Sequence, residues 1–252
     1  MSFFPLPQSR GLHYRCLGQG APLVLLHGWS YCGEVFDKLA GSLAHHRQLL
    51  IPDLPGHGRS EAAPQQSLGE ICADLEAWLA ARTNEGVVIL GWSLGGQIAL
   101  ALAARGRIPV KSLILISSTP KFTASADWTF GLPEAQLRSM QRHFARNPQL
   151  CIQQFQHNID ARRSCPRLPD AATAARGLEL LGSIDLRPML SGITCPVLLL
   201  HGSQDNVIPR SASGYLSRVL PDSRLETLEG GGHAPFWEDP SWVLRQLEAF
   251  LS

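Results

Sequence analysis

Five short aliphatic runs punctuate the chain: Leu23–Leu26, Leu49–Ile51, Val87–Leu90, Leu113–Ile116 and Val197–Leu200. Each is continuous rather than alternating, the pattern of a strand buried on both faces of a parallel sheet. A sixth run, Arg224–Leu228, alternates polar and apolar residues and is expected nearer a sheet edge. The stretch Leu12–Leu17, before Pro22, is expected to add a short antiparallel edge strand. Helical periodicity fills the gaps at Leu68–Arg82, Leu94–Arg105, Arg210–Val219 and Trp242–Leu251. Strands alternating with helices predict an α/β fold: a mostly parallel, doubly wound sheet with helices on both faces.

One stretch breaks the alternation. Residues 120–188 hold no strand-like run, read as helical, and are cut by Pro133, Pro148, Pro166 and Pro169. A structureless loop of that length would be out of place in a compact domain. The expectation is a core domain of residues 1–119 and 189–252 with a helical cap inserted at 120–188. Open α/β sheets bind ligands at the C-terminal edge of their strands, so such a cap would roof a pocket there.

Bulk properties narrow the function classes. The chain has 252 residues, 44% of them hydrophobic, enough for one α/β domain with an insertion. A net charge of +1 argues against nucleic acid or an anionic membrane as partner. No apolar run approaches the roughly 20 residues of a membrane helix. Met1–Pro7 lacks a basic region followed by an apolar one, so no secretory signal is expected. Six scattered cysteines (Cys16, Cys32, Cys72, Cys151, Cys165 and Cys195) without a C-x-x-C pair suggest free thiols in a reducing cytoplasm. Cys32 reads as packing.

Candidate chemistry begins where Val87–Leu90 runs into Gly91-Trp92-Ser93-Leu94-Gly95 and then a small-residue helix. A G-x-S-x-G at a strand-to-helix junction sets its serine on a sharp turn, hydroxyl exposed, above the free N–H groups of the new helix. Ser93 is the candidate nucleophile; the competing reading is a serine that only caps the helix. Serine needs a base, and the base an acid to orient it; in this arrangement the acid precedes the histidine. Val197–Leu200 continues to His201-Gly202-Ser203-Gln204-Asp205, and Leu228 to Glu229-Gly230-Gly231-Gly232-His233. Asp205 is therefore the expected acid and His233 the expected base. Singly, Asp205 could be a turn residue and His233 one surface histidine among nine. The rival carboxylate, Asp53, precedes the serine and reads as a turn residue.

An oxyanion hole is expected from the N–H of Leu94 and that of Trp29, in the loop His27-Gly28-Trp29-Ser30 after Leu23–Leu26. The Trp29 side chain is expected to floor an acyl pocket, and His27 to brace the loop. His45-His46 and His57 lack zinc-ligand spacing, and no G-x-x-x-x-G-K occurs, so no metal or cofactor is expected.

These motifs resemble the α/β-hydrolase fold over essentially the whole chain. His27-Gly28-Trp29, Asp53–Ser60, Gly91–Gly96 and Gly232–Phe236 fall where that superfamily has them. The first and third of these, with Ser117–Phe122 and Asp185-Leu186-Arg187, resemble the BioH family, the pimeloyl-(acyl-carrier protein) methyl ester esterases of biotin synthesis. The resemblance implies a serine carboxylesterase that frees the pimeloyl carboxylate on an acyl-carrier protein through an acyl-enzyme. It also implies that Phe155 lines the pocket from the cap, packing within the cap being the alternative. That family grips its acidic carrier with cap arginines. Here Gln153 and Gln154 stand where some are expected, so Arg138, Arg142 and Arg146 (i, i+4, i+8) and Arg162-Arg163 become the docking candidates. The alternative for them is a solvated helix face. A general short-chain carboxylesterase, a carbon–carbon bond hydrolase and a non-catalytic small-molecule receptor are the other functions such a fold allows. A monomer is expected.

Overall fold

The computed structural model describes residues 11–61, 67–163 and 165–252; residues 1–7, read above for a secretory signal, lie outside them. Seven strands form one sheet: β1 (Tyr14–Leu17), β2 (Pro22–Leu26), β3 (Gln48–Pro52), β4 (Val87–Trp92), β5 (Val110–Ile116), β6 (Val197–Gly202) and β7 (Ser223–Leu228). Their order is β1-β3-β2-β4-β5-β6-β7, and only the β1–β3 pair is antiparallel. The six aliphatic or alternating runs and the antiparallel edge strand all stand where the pattern puts them. β7 is the other edge and is only partly buried, the reason its run alternates.

Nine α-helices accompany the sheet among the described residues: α1 (Asp37–Leu43), α2 (Leu68–Ala80), α3 (Leu94–Arg105), α4 (Glu134–Arg146), α5 (Pro148–Ile159), α6 (Ala171–Ser183), α7 (Arg210–Val219), α8 (Pro235–Glu238) and α9 (Pro240–Leu251). Successive strand residues face opposite layers. Leu23, Leu25, Leu90, Ile114 and Leu198 pack with Phe36, Leu39, Phe236 and Leu247 of the α1/α8/α9 layer. Val24, Leu26, Ile89, Leu115 and Leu199 pack with Leu75, Trp78, Ile98 and Leu216 of the α2/α3/α7 layer. Burial on both faces is what makes these runs continuous.

Chain order reverses direction between β2 and β4, so the loops after these strands lie side by side at the switch point where such sheets bind ligands. The approach is close: a Cβ on Gly95, in the first turn of α3, would sit 2.1 Å from the Leu26 carbonyl oxygen. Residues 117–196 leave the sheet after β5 and carry α4, α5 and α6 before β6. Leu137, Phe144, Ile152 and Leu178 of this segment join the same buried cluster as Trp29 and Leu94. The six thiols are free, and Cys32 meets Cys165 at 3.3 Å, a contact across the two regions rather than local packing alone. No helix among the described residues is long and apolar enough to cross a membrane.

Candidate active site

Ser93 sits between β4 and α3 with φ 55° and ψ −118°. A non-glycine residue so placed costs on the order of 1–3 kcal/mol and is held by its surroundings. Its N–H donates to Ile116 O at 3.0 Å, and the Ser118 hydroxyl donates to its carbonyl at 2.9 Å. The Ser93 side chain makes no capping hydrogen bond to α3, which removes the capping-serine reading.

Two later strand ends converge on one carboxylate. His233 Nδ1 is 2.8 Å from Asp205 Oδ2. A carboxylate only accepts, so a proton stands on Nδ1. The His233 Nε2 is buried and has no hydrogen-bond partner among the described residues. The other oxygen, Oδ1, accepts from the amides of Val207 at 2.8 Å and Ile208 at 3.0 Å. Burial opposes ionisation of Asp205, but the charge of His233 and hydrogen bonds from His201 and His233 outweigh it and hold the carboxyl well below its usual range. The His233 loop is clamped from outside: Trp92 Nε1 donates to the His233 carbonyl at 2.8 Å, and the Gly232 amide donates to Glu238 at 2.8 Å. Trp92, the residue before Ser93, thus holds the loop that carries His233. Sequence reasoning singled out Trp92 without finding this role, and it passed over His201, which lies 3.1 Å from Asp205. A histidine four residues before the acid on the same strand end was the available signal.

The loop after β2 lies beside Ser93, since a Cβ on Gly28 would be 3.2 Å from Ser93 Cβ. The amides of Trp29 and Leu94 donate no hydrogen bond among the described residues. His27 Nε2 accepts from the Leu54 amide at 2.8 Å and its Nδ1–H donates to Gly28 O at 2.9 Å. Burial first, and the neighbouring His57 second, lower its pKa to about 3, so the brace is a neutral imidazole. Asp53 accepts from the amides of Gly33 at 2.8 Å and Arg59 at 3.0 Å, both backbone contacts within the adjoining turns.

The Trp29 indole does not floor an open pocket. It turns towards α6, donates from Nε1 to Ala174 O at 2.9 Å, and stacks edge-on against Phe155 with centroids 5.0 Å apart. Gly177 makes this possible, because a Cβ there would lie 2.4 Å from Trp29 Cδ1. Phe155 is therefore partly buried against Trp29, its neighbours Gln153 and Gln154 are exposed, and Gln156 reaches down to donate to Ser30 O at 2.8 Å. Ser93 is only 7% exposed and His233 1%, so the site is nearly shut from solvent.

The candidate docking arginines divide. Arg138, Arg142 and Arg146 are exposed on α4, and Arg138 pairs with Glu134 at 2.6 Å. Arg162 and Arg163 both pair with Asp160, at 3.0 and 3.3 Å. These two line a separate cavity of about 390 Å³ with Tyr31, Cys165 and Trp237. No cluster of histidine, cysteine or carboxylate side chains suited to a metal occurs among the described residues.

Comparison with known proteins follows this geometry. The sequence profile described as "Alpha/beta hydrolase family" matches residues 23–246. The pimeloyl-(acyl-carrier protein) methyl ester esterase of Nitrosomonas europaea is 35% identical over 252 residues, covering 94% of this chain and 98% of that protein. The protein of the same description from Aromatoleum aromaticum is 35% identical over 240 residues, covering 86% and 93%. Among solved structures, an esterase from Exiguobacterium antarcticum superposes with a TM-score of 0.85 at 23% identity, covering 95% of this chain and 94% of that one. A bromoperoxidase from Bacillus anthracis superposes at 0.87 with 19% identity, covering 95% of each, and these two structures share the fold alone.

Proposed function

This chain belongs to the alpha/beta hydrolase family, and from that premise we propose that it is a serine esterase that hydrolyses the methyl ester of a pimeloyl chain carried by acyl-carrier protein. The observations that carry the chemistry are a strained Ser93, the neighbouring Trp92 that holds the His233 loop, and a His233 hydrogen-bonded to Asp205 through Nδ1 whose Nε2 has no partner among the described residues. His233 Nε2 takes the Ser93 proton as the hydroxyl oxygen attacks the ester carbonyl. The amides of Leu94 and Trp29, which have no other acceptor among the described residues, stabilise the oxyanion. Collapse expels methanol, protonated by His233. A water activated by the same histidine then opens the acyl-enzyme and regenerates Ser93. Asp205 stays ionised and fixes the imidazole tautomer. Every step uses side chains and backbone of this chain, and none calls on a cofactor.

The substrate assignment is supported by relatives at 31–35% identity over 86–96% of the chain, all described as acting on that ester. Residues 120–188 act as the cap of a core formed by 1–119 and 189–252, as the contacts from α5 and α6 to Ser30 and Trp29 support. Trp29 and Phe155 bound the acyl chain when the cap lifts, and the α4 arginines face the carrier.

The test is methanol release from pimeloyl-acyl-carrier protein methyl ester, followed by mass spectrometry of the freed acid. Ser93→Ala should lower the rate by about 10⁴-fold or more. Retained activity in that variant refutes the mechanism. Turnover of p-nitrophenyl esters with an inert carrier substrate, and no rescue of a biotin-requiring strain, would make the chain a general carboxylesterase instead.

A further inference from the structure

We propose that His201 is a second positioning residue of this site: its Nε2 stands 3.1 Å from the same Asp205 oxygen that holds His233, and so sets how strongly that oxygen pulls on the base. The inference rests on the assignment of Asp205 and His233 as acid and base.

His201 lies near the end of β6 and is fully buried. Its Nε2 is 2.9 Å from Ile208 O and 3.1 Å from Asp205 Oδ2, and its Nδ1 is 2.7 Å from the Ser213 hydroxyl of α7. A carbonyl oxygen can only accept, so Nε2 bears the proton, and Nδ1 takes the proton of Ser213. The tautomer is thus fixed by two partners other than Asp205. The single Nε2–H is hydrogen-bonded to Ile208 O and has Asp205 Oδ2 beside it at 3.1 Å.

Asp205 is therefore surrounded: Oδ1 takes two backbone amides, and Oδ2 takes the His233 N–H with the His201 Nε2 at 3.1 Å beside it. A side chain that only filled the space between β6 and α7 would be better apolar, since a buried imidazole is costly unless its nitrogens are used. Two N–H groups beside one oxygen share its charge. Withdrawing His201 leaves more charge on Oδ2 facing His233, which favours the imidazolium and raises the pH at which the base becomes available. The groups facing this centre are few. They are His201 from β6, Asp205 and the amides of Val207 and Ile208 from the following loop, and Ser213 from α7. His233 also faces the Trp92 ring, centroids 5.6 Å apart, and Glu238 of α8 binds the adjoining Gly232 amide.

The experiment is the pH dependence of kcat/KM on a p-nitrophenyl ester. His201→Phe, which removes the donor, should move the acid limb up by about one pH unit. His201→Gln, whose amide N–H can reach the same oxygen, should bring the limb back towards its original position. An unmoved limb in a His201→Phe protein that still melts cooperatively overturns the inference. A variant that fails to fold leaves a second measurement on the unmodified chain: ¹⁵N shifts of its histidines at pH 8. There His201 should show the Nε2–H tautomer with Nδ1 accepting, and an Nδ1–H tautomer overturns the inference. An active Ser93→Ala would sink the esterase assignment itself, whereas an inactive Ser93→Ala with an unmoved limb sinks only the role of His201.

Discussion

The two halves of this site are built to different standards. At the strand ends the Asp205 carboxylate takes three hydrogen bonds and a close His201 contact, and the His233 loop is clamped by Trp92 on one side and Glu238 on the other. Among the described residues the helical segment above meets the loop after β2 through the Trp29 indole on Ala174, the Gln156 amide on Ser30 and the Cys32–Cys165 thiol contact, with apolar packing around them. Orienting a base requires fixed distances, because a misplaced imidazole cannot move a proton in step with bond formation. Covering a substrate requires only a fit that can open. Changes at the strand ends should therefore cost rate, and changes in the helices should alter which ester is accepted.

The largest expected effect comes from disabling the acid. Asp205→Asn keeps the shape but offers His233 an amide that can stabilise the wrong tautomer, and kcat on a small ester should fall by about 10⁴-fold with little change in KM. A fall of less than about tenfold would mean that the strand ends are not where the chemistry is organised.

A second test concerns what keeps the strand-end half closed. Folded His27 resists protonation down to about pH 3, whereas in the unfolded chain it takes a proton below its ordinary value near 6.5. Its folded pKa is the lower one, so its stabilisation is complete above 6.5 and is lost as the pH falls towards 3. At pH 4.5 this one group should cost about 3 kcal/mol. Urea midpoints at pH 7.5 and 4.5 measure the loss, and equal midpoints would show that His27 is not the neutral brace described above.

The same contrast governs how much could be read from the chain. Strands buried on both faces announce themselves as unbroken aliphatic runs, and the loops that end them carry Ser93, Asp205 and His233 in the order this fold requires. What stayed hidden depends on partners remote in sequence. Trp92 meets the His233 carbonyl across 141 positions, and Trp29 meets Ala174 across 145. No local pattern specifies such contacts, so the Trp29 ring was expected beneath a pocket and stands against α6 instead. Helix α1, introduced by a 3₁₀ turn at Gly33–Phe36, is also short enough to leave little periodicity.

Gly177 is a point of close approach between the two halves. In Gly177→Ala the new methyl would collide with the buried Trp29 ring, and overpacking of this kind costs about 1–3 kcal/mol. Thermal melting should fall by several degrees, and kcat on a small ester should fall with it, because the ring and the proposed oxyanion amide belong to the same residue. A lower melting point with unchanged kcat would show that Trp29 contributes only to cap packing.

The smallest effect tests whether the helices select the substrate by charge. In a chain of net charge +1 the candidate arginines are not equivalent. Arg138 is neutralised by Glu134, and Arg162 and Arg163 share Asp160, whereas Arg142 and Arg146 form no ion pair among the described residues. Those two carry the uncompensated charge of α4, one helical turn apart. Exposed charges at the rim of an interface act mainly on encounter and are screened over about 10 Å at 0.1 M salt. Reversing both to glutamate should raise KM for an acidic carrier-bound ester about three- to tenfold at low salt, and the gap should narrow as salt increases. Hydrolysis of a small neutral ester should be unaffected. An unchanged KM for the carrier substrate would move its landing site off α4, and an equal loss on the small ester would mean that the helices shape the reacting centre as well as its cover.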